Sequence, residues 1–64
     1  MSYLNKTLPQ VPFSDVVNLR VWNSKRGYGT ILKTKPNGLV TVIFDDGTEY
    51  SDDHPLMSTF IVKK

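Results

Sequence analysis

RGYGTILKTKPNGLVTVIFDDGTEY, residues 26–50, carries apolar runs separated by two tight turns. Lys35-Pro36-Asn37-Gly38 breaks the first run. Pro36 presets φ for a turn corner, and Asn37 and Gly38 tolerate the positive φ that hairpin turns demand. Asp45-Asp46-Gly47 does the same further on. Between the two turns, Leu39 to Phe44 is β-branched and aromatic, a composition that fits a pleated, half-buried surface. The stretch predicts a β-meander.

Upstream, Val16 to Trp22 predicts a first strand. Val17, Leu19 and Val21 alternate there with Asn18, Arg20 and Trp22, a period of two that buries one face. Trp22 then shares the less buried face with Arg20, so either the N-terminal arm covers it or it lines a site. Asn23 to Gly27 is a polar loop, and Tyr28 to Thr34 resumes a strand. Gly27 and Gly29 flank Tyr28 and predict a bulge or sharp bend. They are no dinucleotide fingerprint, because its third glycine falls on Leu32 and no helix follows.

Downstream, Thr48 to Ser51 predicts a short fourth strand. Asp52 to Met57 ends it, since Pro55 lacks an amide donor, and a 3₁₀ turn there presents Leu56 or Met57 to the core. Thr59 to Val62 predicts the fifth strand. Five short strands at close spacing, with a 3₁₀ turn before the last, describe an all-β chain folded as a small, strongly bent barrel. Residues 16–64 form that barrel. Residues 1–15, MSYLNKTLPQVPFSD, predict an extended arm, because Pro9 and Pro12 oppose both a helix and a central strand. Tyr3, Leu4, Leu8, Val11 and Phe13 give the arm two possible roles: wrapping the barrel, or docking on a partner.

A chain of 64 residues allows one small core, and such a domain buries only about 60% of the surface its unfolded chain exposes. With no cysteine there is no disulfide or thiolate zinc site, and the single His54 holds no structural metal alone. No cofactor signature is present. Packing, turn chemistry or a partner must supply stability. No apolar run approaches the roughly 18–20 residues of a membrane span, and the first residues lack a signal peptide's apolar core. The expectation is a soluble, intracellular, stand-alone protein, either monomer or weak homodimer.

The formal net charge is +2, unevenly spread. Lys6, Arg20, Lys25, Arg26, Lys33 and Lys35 stand against Asp15 in the first half. Asp45, Asp46, Glu49, Asp52 and Asp53 stand against Lys63 and Lys64 in the second. Such segregation gives either a basic and an acidic face or simply a solvated surface.

The runs L-x-V-W-x(5)-Y-G-T-I-L-K and V-T-V-I-F-D-D-G-T-E-Y resemble the SH3-like barrels of the Tudor superfamily over about residues 17–62. One similar branch is the C-terminal Tudor-like domain of UvrD/PcrA-type helicases, which contacts RNA polymerase. CarD-like factors and the KOW modules of elongation factors are looser relatives. The other branch is the Tudor domain of Polycomb-like chromatin proteins, which reads methylated lysine through an aromatic cage. Its pattern falls here on Trp22, Tyr28, Phe44, Asp46 and Tyr50. Four aromatic faces and a carboxylate suit a quaternary ammonium through cation–π attraction. Three arrangements stay open for these residues: an open cage, a cluster covered by the arm, or a flat contact surface.

Three functions follow. The first is a non-enzymatic binding module for a protein of the transcription or DNA-processing machinery, RNA polymerase or a helicase, or for nucleic acid. Arg20, Lys25, Arg26, Lys33 and Lys35 beside Trp22 and Tyr28 would pair phosphate neutralisation with base stacking, while Asp45, Asp46 and Glu49 oppose a wide nucleic-acid surface. The second is a methyl-lysine peptide reader. The third, an enzyme built on Ser51, Asp52, Asp53 and His54, is disfavoured because sequence neighbours in a loop rarely converge on one substrate atom.

Overall fold

Two hairpin turns close in the same way. Lys35 N–H donates to the Leu39 carbonyl at 2.9 Å and Gly38 N–H to the Lys35 carbonyl at 3.0 Å. Phe44 N–H donates to the Thr48 carbonyl at 2.8 Å and Gly47 N–H to the Phe44 carbonyl at 2.9 Å. In each turn a side chain adds one more bond: Asn37 Oδ1 accepts the Leu39 N–H, and Asp46 Oδ1 accepts the Thr48 N–H. The glycines take the left-handed position, with φ of +95° at Gly38 and +92° at Gly47. Asn37 does not share it, contrary to the expectation of positive φ at both turn residues. A three-residue loop of this kind needs one left-handed residue, and glycine fills it without a Cβ clash.

The computed structural model describes residues 3–64; Met1 and Ser2, the start of the arm assigned to residues 1–15, lie outside the described residues. The chain is all-β, with strands β1 (Arg20–Asn23), β2 (Gly27–Thr34), β3 (Leu39–Phe44), β4 (Glu49–Asp53) and β5 (Phe60–Lys63). All neighbours pair antiparallel, in the order β4-β3-β2-β1-β5. Three 3₁₀ turns accompany the sheet among the described residues: Leu8–Gln10, Phe13–Asp15 and His54–Leu56.

The first strand begins four residues later than the alternation from Val16 suggests. Val16 is helical, at φ −80° and ψ −25°, and Asn18 is left-handed at φ +71°. The chain therefore turns where a strand was expected, and an Asn makes that conformation tolerable. The turn buries Val16 completely and leaves Val17 exposed.

β4 runs on through Asp53, with Asp53 opposite Leu39 and His54 N–H donating to the Gly38 carbonyl at 2.9 Å. The missing amide of Pro55 thus acts inside the 3₁₀ turn, not in the strand. That turn buries Met57 and leaves Leu56 65% exposed. The bulge expected near Gly27 and Gly29 falls instead at Leu32, where the register steps from Ile31↔Val42 to Lys33↔Thr41. Gly29 serves close approach: a Cβ there would lie 2.8 Å from Val42 Cγ1 and 3.0 Å from the Ile43 carbonyl oxygen.

The core joins Val21, Ile31, Val40, Val42, Phe44, Met57, Phe60 and Val62 to three residues preceding β1: Leu8, Val11 and Val16. Hydrogen bonds do not close the sheet into a cylinder, so β4 and β5 are its edges. The edge of β5 is covered. Asn5 N–H donates to the Val62 carbonyl and Val62 N–H to the Lys6 carbonyl, both at 2.8 Å, and Thr7 bridges Ile61. The Leu8–Gln10 turn then meets the His54–Leu56 turn, where His54 Nε2 reaches the Leu8 carbonyl oxygen at 3.0 Å and the Phe13 ring packs on His54 at 5.6 Å.

Leu8→Ala should lower unfolding free energy by about 2–5 kcal/mol, a large share of the roughly 3–10 kcal/mol expected for this length. Gly29→Ala should cost about 1–3 kcal/mol through overpacking against β3. Urea titration of both variants checks these values, and a Leu8→Ala protein as stable as wild type would mean that the arm does not contribute to the core.

Candidate binding pocket

Asn23, the last residue of β1, is 7% exposed and organises the site. Its Oδ1 accepts the backbone N–H groups of Lys25 at 2.9 Å and Arg26 at 3.2 Å. Its Nδ2 donates to Thr59 Oγ1 at 3.0 Å. One amide thereby shapes the β1–β2 turn and ties it to the segment entering β5. The side-chain acceptor two residues behind a turn amide is the habitual role of Asn.

The turn holds Arg26 over the aromatic end of the core. The guanidinium carbon lies 4.7 Å from the Phe44 ring centre and 6.0 Å from that of Tyr50. Both rings stack on Phe60, at 6.0 Å for Phe44 and 5.9 Å for Tyr50. Arg26 Nη2 also donates to Thr48 Oγ1 at 3.2 Å, and Thr48 Oγ1 donates onward to Asp46 Oδ1 at 2.6 Å. Beside this group opens a cavity of about 150 Å³, lined by Asn23, Lys25, Arg26, Tyr50, Thr59 and Phe60. Two cations and a polar amide border it, and two aromatic rings supply an apolar wall.

Hydrogen bonding sets the ionisation of the neighbours. The Thr48 hydroxyl and amide hold the Asp46 carboxyl below its ordinary range. The Tyr50 phenol donates to Asp52 Oδ2 at 2.9 Å, and that bond, with burial, raises its pKa.

Strand register divides the expected cage residues between two faces. Val21, Gly29 and Phe44 are aligned across β1, β2 and β3 on the core side. Trp22 and its direct partner Tyr28 therefore project from the opposite face, because neighbouring side chains alternate. Phe44 is 3% exposed and lies beneath Arg26, with Tyr50 on the same side and Asp46 in the adjoining turn. The structure brings Phe44, Tyr50 and Asp46 into one neighbourhood and Trp22 with Tyr28 into another.

The expected basic residues are similarly dispersed. Arg20 sits on the Trp22 face, 5.1 Å from the Tyr28 ring centre, and pairs with both Asp45 oxygens at 2.6 Å. Lys25 and Arg26 border the cavity. Lys33 and Lys35 stand at the far end of β2, up to roughly 23 Å away along a strand of this length. Sequence reasoning missed Asn23, Thr59 and Phe60. Asn23 carried a signal, an Asn opening a polar turn ahead of glycine; Phe60 read as one more core aromatic.

Ser51, Asp52 and His54 bond in separate directions, and Asp53 offers its backbone N–H to Asp52. Ser51 meets Thr41, Asp52 meets Tyr50, and His54 meets Leu8. Among the described residues no three His, Cys, Asp or Glu side chains converge as metal ligands, and no helix is long and apolar enough to cross a membrane. No protein-family model, curated protein or solved structure gives a significant match to the chain.

The Arg20 pair sets a pH dependence. Its hydrogen bonds pull the Asp45 carboxyl below the usual range, so the pair stabilises the fold above the unfolded carboxyl pKa. That contribution disappears as pH falls through the lower folded pKa. NMR titration should find Asp45 and Asp46 both ionising below ordinary aspartates. Arg20→Ala should move Asp45 alone back up; an unmoved Asp45 would refute the assignment of cause.

Proposed function

We propose that this chain is a non-enzymatic binding module of the Tudor-like SH3 type, which contacts a protein of the transcription or DNA-processing machinery. The observation that carries the reading is the cavity where Lys25 and Arg26 border the Tyr50–Phe60 wall. An Arg fork beside a Lys suits a carboxylate on the partner, and the ring wall suits an apolar or aromatic side chain next to it. Five short antiparallel strands with a 3₁₀ turn before β5 are consistent with a small barrel-like fold, the coarser part of the Tudor-like resemblance. The choice of machinery rests on that resemblance alone.

Protein is preferred over nucleic acid because the cations are not contiguous. Arg20 is neutralised by Asp45, Lys33 and Lys35 are remote, and the acidic β3–β4 turn adjoins the pocket. Two cations beside several carboxylates make a poor track for a phosphate backbone. A methylated lysine would have to displace Arg26, whose guanidinium already lies over Phe44 and Tyr50.

Immobilised protein should retain a polymerase or helicase from native lysate after nuclease treatment. Lys25→Glu/Arg26→Glu should lose it with the fold intact by circular dichroism. Retention that vanishes with nuclease would transfer the reading to nucleic acid, and retention by the double variant would remove the pocket from it.

A further inference from the structure

The two edges of the sheet are treated differently. Asn5, Lys6 and Thr7 cover β5, whereas among the described residues β4 carries no strand beyond it. The bonds Phe44 N–H to Thr48 and His54 N–H to Gly38 bracket the β3–β4 ladder. Antiparallel alternation between them directs the backbone groups of Tyr50 and Asp52 toward β3 and those of Glu49, Ser51 and Asp53 away from it. Asp52 Oδ1 takes the Asp53 N–H at 2.8 Å. The N–H and C=O of Glu49 and Ser51 thus form two donor–acceptor pairs on the outer edge. The side chains of Glu49, Ser51 and Asp53 are all exposed there.

We propose that the β4 edge is a strand-addition site for an extended protein segment carrying Lys or Arg at alternate positions. Main-chain bonds to Glu49 and Ser51 would provide the affinity, and Glu49 and Asp53 on one face would select the charge. The same carboxylates argue against a second copy as occupant. An antiparallel β4–β4 pair centred on Ser51 sets Glu49 of each copy opposite Asp53 of the other, a like-charge pairing that destabilises. The edge therefore repels itself while admitting a basic strand, specificity obtained by repulsion as much as by attraction. This surface is separate from the pocket cations and does not depend on their role.

The probe is a short capped peptide of alternating Thr and Lys, added to ¹⁵N-labelled full chain, with a Thr–Glu peptide as control. The Thr–Lys peptide should shift and protect the Glu49 and Ser51 amides. N-methylation of the peptide amides of one parity should weaken binding roughly tenfold, and methylation of the other parity should leave it unchanged. Glu49→Lys/Asp53→Lys should exchange the preference to Thr–Glu. Equal effects of both methylation parities would reduce the contact to charge attraction and overturn strand addition. Equal binding of the two peptides to wild type, or no shift at millimolar peptide, would also overturn the proposal.

Discussion

The short ladder between Asn5, Lys6 and Val62 is the contact on which the rest of the structure depends. Five strands of four to eight residues do not close on themselves by hydrogen bonding, and a core this small tolerates no open side. The ladder sets the arm along β5, and that placement delivers Leu8 and Val11 into the core. It also brings the Leu8–Gln10 turn against the turn that leads into β5. Side chains thus complete a barrel whose main chain stops short. The arm belongs to the packing of the barrel as much as the strands do.

A second dependence runs through Asn23. It is one of the few buried polar side chains, and its bonds to Lys25, Arg26 and Thr59 meet the requirement that a buried amide be satisfied. In meeting it, Asn23 fixes the height and direction of Arg26 over Phe44 and Tyr50. The recognition chemistry proposed for the pocket is therefore a by-product of how the turn solves a burial problem. Binding elements held by a rigid frame in this way need little ordering on contact.

Much of the fold was legible because local chemistry and global architecture agree in the meander. Pro36, the turn glycines and the β-branched run 39–44 each announce their place. Val16 to Leu19 misled for a physical reason: alternation of apolar residues reads as strand, but Asn18 adopts a left-handed backbone and the segment caps the barrel instead. The pocket was only partly legible. Tyr50, Phe44 and Arg26 were singled out, but their grouping with Trp22 and Tyr28 ignored strand parity, which register alone decides. Phe60 and Thr59 enter the site from the far end of the chain, and no local pattern links them to Asn23.

The arm ladder also has a bearing on association in the partly unfolded protein. The two meander hairpins close over a few residues each, whereas joining Asn5 to Val62 encloses nearly the whole chain, so its entropy of closure is the largest in the molecule. Releasing the arm breaks two backbone bonds of the ladder and withdraws Leu8 and Val11 from the core. Its departure uncovers the β5 edge together with Phe60, Ile61 and Val62, an apolar strand without carboxylates. The β4 edge, by contrast, keeps its negative charges in any state. Aggregation from a partly opened molecule would therefore start at β5, and the arm acts as the guard of that edge.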